Sequence, residues 1–125
     1  MDLSIGVPGF SYPQFASPTG GDLRFTDASG SSVIPHEIDE WNTNAVSSVW
    51  VNVPQISGPG DYIWAYWGNP LATNPPAWTT NGSVWSANHD LVWHLKETGL
   101  PYADSAQQHS GSWQFAFLPP SVTVN

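Results

Sequence analysis

Residues 48–53 read SVWVNV, a stretch in which apolar side chains recur at every second position. One side of the stretch carries three valines and the other a tryptophan and an asparagine: Val49, Val51 and Val53 against Trp50 and Asn52. A period of two is typical of a β-strand with one buried side and one side in solvent. The pattern therefore predicts a strand whose valines face a core.

The same alternation recurs on both sides of this stretch. Residues 22–26 (DLRFT) and 33–41 (VIPHEIDEW) flank the turn-forming segment DASGSS, which predicts a hairpin. Residues 62–67 (YIWAYW) predict another strand. If its smaller residues face the core, Trp64 and Tyr66 face solvent.

Short strands separated by turn signals continue to the end of the chain. Residues 68–83 are rich in Pro, Asn and Gly and are expected to form a surface loop, while 91–95, 112–118 and 122–124 are expected to be strands. Long helices are not expected, because the chain has twelve prolines and eleven glycines, which disfavour helices, and only two Lys and Arg residues, which favour them. These features predict an all-β fold, an antiparallel β-sandwich or jelly roll.

The charge of the chain limits its partners. The formal net charge is −8, and Arg24 and Lys96 are the only strongly basic residues. Two cations cannot neutralise a run of phosphates, so neither nucleic acid nor a membrane is an expected partner. The same charge repels acidic polymers and favours neutral ligands. Cysteine is absent, which excludes disulfides, thiolate catalysis and cysteine-based zinc sites.

Aromatic side chains are unusually frequent. Eight Trp, four Tyr and five Phe make up 14% of the 125 residues. A domain of this size does not bury so many large rings completely, because Trp is rarely buried in full. The apolar face of a sugar stacks on exposed rings, and ring N–H and O–H groups meet its hydroxyls. The excess therefore predicts carbohydrate binding.

Most of the predicted ligand-binding residues lie on the non-core side of the strands. The set comprises Arg24, Glu37, Asp39, Trp41, Trp50, Asn52, Trp64 and Tyr66. Stacking on the rings would supply affinity, and the polar groups would orient the sugar. The alternative is structural: Arg24 pairs with Glu37, while Trp50 and Trp64 pack under a second sheet or a loop.

Trp78, in the loop of residues 68–83, is a second candidate platform, with Trp85 close behind it. A tryptophan that follows two prolines has little nearby core to join, so a role in ligand binding is natural. The alternative is a ring that folds back as a lid over the edge of the sandwich.

Histidines and aspartates are candidate metal ligands. His36, His89 and His94 are the candidates for copper. Their spacing matches neither HExxH nor a two-His-one-carboxylate pattern, so ordinary hydrogen-bonded histidines are favoured. A structural calcium ion would be held by aspartates near turns: Asp22, Asp27, Asp61, Asp90 and Asp104. The preference of aspartate for turns is the simpler explanation and is favoured over calcium.

Four motifs in this order, GDLRFTD, IPHEIDEW, VWVNVP and YIWAYWGNP, resemble an uncharacterised bacterial family of domains of unknown function. The resemblance covers about residues 2–85. That family occurs in large exported or surface proteins, commonly just before a concanavalin A-like (laminin-G type) lectin module. The resemblance implies an extracellular β-sandwich in a carbohydrate context, without settled catalytic residues. This chain departs from the family in having His36 where an aromatic is common, and Trp64 and Trp67 where tyrosine is frequent.

The resemblance also suggests a domain organisation. Residues 1–90 are assigned to the β-sandwich module, and residues 92–105 (VWHLKETGLPYADS) resemble the opening of the neighbouring lectin-like module. Residues 91–125 are expected either to complete the sandwich or to begin a truncated lectin-like module. The protein is expected to be secreted or at the cell surface, with its export signal absent from this chain.

The leading prediction is a carbohydrate-binding module for a neutral polysaccharide, β-glucan or cellulose ahead of xylan, rather than a self-sufficient enzyme. The first alternative is a copper-dependent oxidative enzyme that acts on polysaccharide. The second is a structural spacer of a surface protein, in which the rings serve packing and contacts with neighbouring modules. Hydrolysis is disfavoured because Glu37 and Asp39 would stay ionised beside Arg24.

Overall fold

A computed structural model of the protein describes residues 1–4, 7–85, 89–96 and 102–107. The strands among them are β1 (Asp2–Leu3), β2 (Arg24–Thr26), β3 (Val33–Ile34), β4 (His36–Glu40), β5 (Ser47–Val51) and β6 (Trp64–Tyr66). They form two three-stranded antiparallel sheets. Sheet A has the order β1-β5-β4, and sheet B has the order β3-β2-β6.

The predicted hairpin after residue 22 is present, but its second strand is divided at Pro35. Residues before the proline, Val33–Ile34, pair with β2 in sheet B, whereas His36–Glu40 pair with β5 in sheet A. Proline has no N–H to donate to a ladder, so the pairing stops there and the chain crosses to the other sheet. The prediction of one continuous strand over residues 33–41 was wrong in this respect.

The core lies between the two sheets. Its fully buried members come from both of them: Leu3, Leu23, Phe25, Ile34 and Val49. Partly buried side chains that alternation had placed inward, including Val51, Ile63 and Ala65, pack against this cluster. The two sheets therefore pack face to face, and the predicted all-β, antiparallel sandwich is confirmed.

One end of the core is closed by a cluster of aromatic rings. Trp41 meets Phe15 edge to face at 4.9 Å between ring centroids, and Trp67 stacks on Phe15 at 5.7 Å. Gly20 has a positive φ of 72°, and a side chain there would run into the Trp41 ring, 2.7 Å from the position of a Cβ. Only glycine fits this turn. Several of the aromatic rings that the composition predicted to be exposed to solvent are therefore packed in this cluster.

Residues 91–95 do not form the predicted strand. They contribute an isolated antiparallel bridge between Trp93 and Asp104. Leu95 has a positive φ of 56°, which turns the backbone out of extended geometry. The strands predicted over 112–118 and 122–124 lie outside the described residues.

Helix is confined to two short 3-10 turns in the described part of the chain, Tyr12–Gln14 and Ala77–Thr79. No helix within that part has the length and apolar character needed to cross a membrane.

His36 is a polar residue in the core between the sheets. Its imidazole is 1% exposed and meets the Phe25 ring edge to face at 5.2 Å. Its Nδ1 has no hydrogen-bond partner among the described residues. Burial, together with the positive charge of Arg24, lowers the pKa of His36 to about 4. The folded protein therefore holds this ring neutral at physiological pH.

The His36 pKa predicts how stability depends on pH. The pKa of His36 is 6.5 in the unfolded chain and about 4 in the folded chain. Between these two pH values the unfolded chain binds a proton at His36 and the folded chain does not, so the free energy of unfolding falls as the pH falls. The loss is on the order of 3 kcal/mol across that range, and the contribution is pH-independent above it. His36→Phe keeps an aromatic ring at this position and removes the group that titrates. Urea unfolding at pH 7.5 and 4.5 should show a smaller pH difference for the variant, and an unchanged difference would contradict this role of His36.

Candidate functional site

Three aromatic rings form a row on the outer face of sheet B. Tyr62, Trp64 and Tyr66 occupy alternate positions along and just before β6. They are 56%, 47% and 47% exposed. The β2 and β6 register pairs Phe25 with Ala65 on the core side, so the neighbouring residues of β6 point outward. The prediction that Trp64 and Tyr66 face solvent is confirmed. We call Tyr62, Trp64 and Tyr66 the aromatic strip.

The aromatic strip is held in a defined arrangement. The indole N–H of Trp64 donates to the carbonyl oxygen of Ala28 at 3.2 Å, which fastens the ring to the turn between β2 and β3. Tyr62 meets Trp64 edge to face, with 5.5 Å between centroids and 86° between ring planes. The rings are thus exposed but oriented, which reduces the conformational entropy lost when a ligand binds.

A groove of about 460 Å³ begins at the Tyr62 end of the strip. One wall is the turn that carries Ala28, and the other is the segment that leads from β5 to Tyr62. The lining residues are Asp27, Ala28, Ser29, Ile34, Val53, Pro54, Gln55, Ile56, Ser57, Gly60, Asp61, Tyr62 and Ile63. Its volume and its mostly apolar lining with a few polar groups are typical of small-molecule sites.

The polar groups of the groove are fixed by local hydrogen bonds. Asp27 Oδ1 accepts from the Ser29 hydroxyl at 2.7 Å and from backbone amides of the same turn. Those bonds, the one from Ser29 foremost, lower the pKa of Asp27. Asp61 Oδ2 accepts from the backbone amide of Gly58 at 3.0 Å. The lining has two carboxylates and no basic residue, so it disfavours an anionic ligand.

Arg24, a predicted ligand-binding residue, has a structural role. Its guanidinium donates to four backbone carbonyls at 2.7 to 3.1 Å, those of Gly21, Leu23, Ala72 and Asn74. It thereby ties the loop of residues 68–83 to sheet B. The alternative of an ion pair between Arg24 and Glu37 is not observed: Arg24 bonds backbone carbonyls beside sheet B, whereas Glu37, on sheet A, bonds Trp85 and Ser105.

Trp41 and Trp78 likewise pack within the fold. Trp41 is half-buried in the aromatic cluster, and its indole N–H donates to the carbonyl of Pro18 at 2.9 Å. Trp78 is half-buried in a 3-10 turn that packs against β4. For Trp78 the structure therefore favours the alternative of a ring that folds back over the edge of the sandwich, rather than an exposed platform for a ligand.

Trp50 and Glu37 face solvent on the outer side of sheet A, where residues from later in the chain cover them in part. Glu37 accepts from the indole N–H of Trp85 at 2.9 Å and from the hydroxyl of Ser105 at 2.7 Å. Trp50 is 45% exposed and stacks on the His94 imidazole, with 5.4 Å between centroids and 17° between planes. We call Glu37, Trp50, Trp85, His94 and Ser105 the Glu37 cluster.

Charged contacts extend the Glu37 cluster along β4. Lys96 Nζ lies 2.8 Å from Asp39 Oδ1. Burial alone raises the pKa of Asp39, but the Lys96 hydrogen bond, the His94 charge and a hydrogen bond with Trp50 together lower it below its ordinary value. His94 Nε2 lies 3.4 Å from Glu37 Oε1 without the alignment of a hydrogen bond. Asn52 is half-buried just beyond the end of β5.

The candidate copper ligands do not come together. His36 and Glu37 are neighbours on β4 and point to opposite sides of sheet A, so His36 lies in the core and His94 outside it. His89 is exposed beside Trp85. No group of three or more His, Cys, Asp or Glu side chains within the described ranges is placed to hold a metal ion. His36 therefore does not share a site with His94, and a copper site on two or three of these histidines stays an untested alternative.

The candidate calcium ligands are separate turn residues. Asp22 is buried and accepts backbone amides of Ala16 at 2.9 Å, Ser17 at 3.0 Å and Gly68 at 2.6 Å. Burial raises the pKa of Asp22, and these bonds outweigh that effect and lower it. Asp104 likewise accepts the amides of Val92 and Ala106. These carboxylates organise the backbone around them, as expected for aspartates at turns.

Residues 19–85 match the model of a family described as a domain of unknown function, DUF2341, a range of just over half the chain. The chain belongs to the DUF2341 family. No curated protein and no solved structure matches it. The resemblance expected from the sequence motifs is confirmed as membership of an uncharacterised family, over a range that begins later than residue 2.

The aromatic strip and its groove lie entirely within the DUF2341 region. The Glu37 cluster crosses the end of that region, since Glu37 and Trp50 lie inside it and His94 and Ser105 beyond it. The sequence did not predict the groove, because residues 57–61 (SGPGD), which supply part of its lining, have a composition that indicates only a turn. It also missed the contact between Glu37 and Ser105, which are 68 residues apart and share no local pattern.

The Glu37 cluster predicts a large effect of removing one carboxylate. Glu37→Ala removes both acceptor oxygens and leaves the N–H of Trp85 and the hydroxyl of Ser105 without these partners. The loss in free energy of unfolding should be about 1 to 3 kcal/mol. Glu40→Ala, on the same strand but exposed, should change it by less than about 0.5 kcal/mol. Urea unfolding at pH 7 measures both, and equal effects would contradict the anchoring role of Glu37.

Proposed function

We propose that the DUF2341 domain of this chain is a carbohydrate-binding module that holds a neutral polysaccharide on the aromatic strip. The observation that carries the proposal is the row of three exposed rings at alternate positions along and just before β6. Large rings left in solvent on a regular strand gain nothing for the fold from their exposed area. They are the kind of surface that the apolar faces of sugars cover.

The arrangement of polar groups supports the same function. The exposed rings stack on sugar C–H faces, and the groove at the Tyr62 end offers amide, hydroxyl and carboxylate groups to sugar hydroxyls. Gln55, whose Nε2 donates to the Ser57 hydroxyl at 2.9 Å, keeps its carbonyl oxygen for a ligand. A lining without basic residues, on a chain of net charge −8, suits a neutral glycan.

β-Glucan and cellulose rank ahead of xylan as ligands. Glucose carries a hydroxymethyl group that xylose lacks, and the polar rim of the groove is suited to hydrogen-bond it. The proposed role is binding rather than catalysis, and the family resemblance favours a secreted or cell-surface protein with neighbouring lectin-like modules. No metal or other cofactor enters the proposal.

Trp64→Ala should weaken binding to soluble β-glucan by tenfold or more, since it removes the central ring of the strip. The matched control is Trp93→Ala, because Trp93 is 46% exposed, nearly the same as Trp64, and lies outside the strip. Affinity electrophoresis in gels that contain the polysaccharide compares the two variants with the unaltered protein.

Two results would refute the proposal. One is an unaltered protein that migrates at the same rate with and without each of β-glucan, soluble cellulose derivatives and xylan. The other is equal retardation of Trp64→Ala and Trp93→Ala, which would place binding elsewhere on the surface.

A further inference from the structure

We infer that the aromatic strip and groove bind a single glycan chain, dissolved or in amorphous polymer, and not the flat face of a crystalline polysaccharide. This inference deepens the proposed function and rests on it. It concerns the physical form of the ligand, which the presence of exposed rings alone does not specify.

The first argument is the orientation of the rings. A crystalline face is flat over many chains, so a protein that binds it needs rings that lie in one plane. Tyr62 and Trp64 are neighbours in the strip, and their planes are 86° apart. A flat face that stacked on Trp64 would meet Tyr62 edge-on and lose its area of contact. Crossed rings instead contact a chain on two of its sides.

The second argument is that the strip leads into the groove. Tyr62 belongs to both, and the strip from Tyr66 to Tyr62 covers about 13 Å at the rise of a β-strand. A chain that follows β6 over Trp64 therefore enters the space between the turn at Ala28 and the segment of residues 53–61. A single chain fits into such a concave space, whereas a crystal surface cannot enter it.

The third argument is the position of the hydrogen-bonding groups. Gln55, Ser57 and Asp61 line one side of the groove, and Asp27 and Ser29 line the other. Groups on two sides reach the hydroxyls at the edges of a chain. In a crystal those edges already bond to neighbouring chains, so only a separated chain presents them.

Two glycines allow a matched test of the groove. A side chain at Gly60, which lines the groove, or at Gly58, which does not, would meet no atom within 4 Å of its Cβ. Neither glycine has a φ in the left-handed region, so both accept a side chain without backbone strain. Gly60→Leu narrows the groove, and Gly58→Leu adds the same side chain to the same loop outside it.

The experiment measures binding of the unaltered protein and both variants to three forms of one polymer: soluble cello-oligosaccharides of increasing length, amorphous cellulose and microcrystalline cellulose. Calorimetry is used for the oligosaccharides and pull-down for the solids. We expect affinity to rise with chain length and then level off, binding to amorphous cellulose, and at least tenfold weaker binding to the crystalline form per accessible area. Gly60→Leu should lose at least tenfold in affinity for the longer oligosaccharides, and Gly58→Leu less than twofold.

Each outcome bears on a defined claim. Binding to crystalline cellulose as tight as to amorphous cellulose, or equal effects of the two leucine variants, would overturn the single-chain inference and leave carbohydrate binding intact. Absence of binding to all three forms, and to soluble β-glucan and xylan, would overturn the proposed function itself. Circular dichroism and thermal unfolding show whether each variant is folded, and Gly60→Ala replaces Gly60→Leu if the larger side chain unfolds the protein.

Discussion

The pairing of β2 with β6 is the constraint on which the rest of the molecule depends. It sets Phe25 opposite Ala65 in the core, and with a period of two it places Trp64 and Tyr66 in solvent. A slip of one residue would pair Phe25, which is fully buried, with Trp64 or Tyr66. Because paired residues share one face of a sheet, the two large rings would then point into the core. Fold and candidate site are therefore specified by the same register, since the strand that closes the core also presents the rings.

The two outer faces of the sandwich have different roles. On sheet B the aromatic strip is open, and the loop beside it is tied back by Asp22 and Arg24, which bond to backbone groups around it. On sheet A the Glu37 cluster joins the strands to residues beyond the DUF2341 region. One segment of the chain contributes to both sheets, because it crosses between them at Pro35. The residues before Pro35 pair in sheet B, and those after it pair in sheet A.

The sequence predicted the features that follow from the alternation of apolar and polar residues. It did not predict the contacts between residues that are far apart along the chain. Fold class, the inward face of β6 and the exposure of Trp64 follow from local pattern. The roles of Arg24 and Trp41 do not, because their partners, Ala72 for one and Pro18 for the other, come from loops whose path no periodicity encodes. Net charge and aromatic content identify a class of ligand, whereas the groove arises only when the turn at Ala28 and the segment before Tyr62 are brought side by side.

The most direct measurement of the central claim is a titration of the isotope-labelled protein with a soluble β-glucan oligosaccharide, followed by the indole N–H signals in nuclear magnetic resonance spectra. The indole N–H of Trp64 bonds to Ala28 at the wall of the groove, and that of Trp41 bonds to Pro18 in the closed end of the core. We expect the Trp64 signal to shift in proportion to the bound fraction while the Trp41 and Trp85 signals stay in place. Shifts confined to Trp50 and Trp85, at the outer face of sheet A, or no shift at saturating oligosaccharide, would contradict the assignment of the aromatic strip as the binding surface.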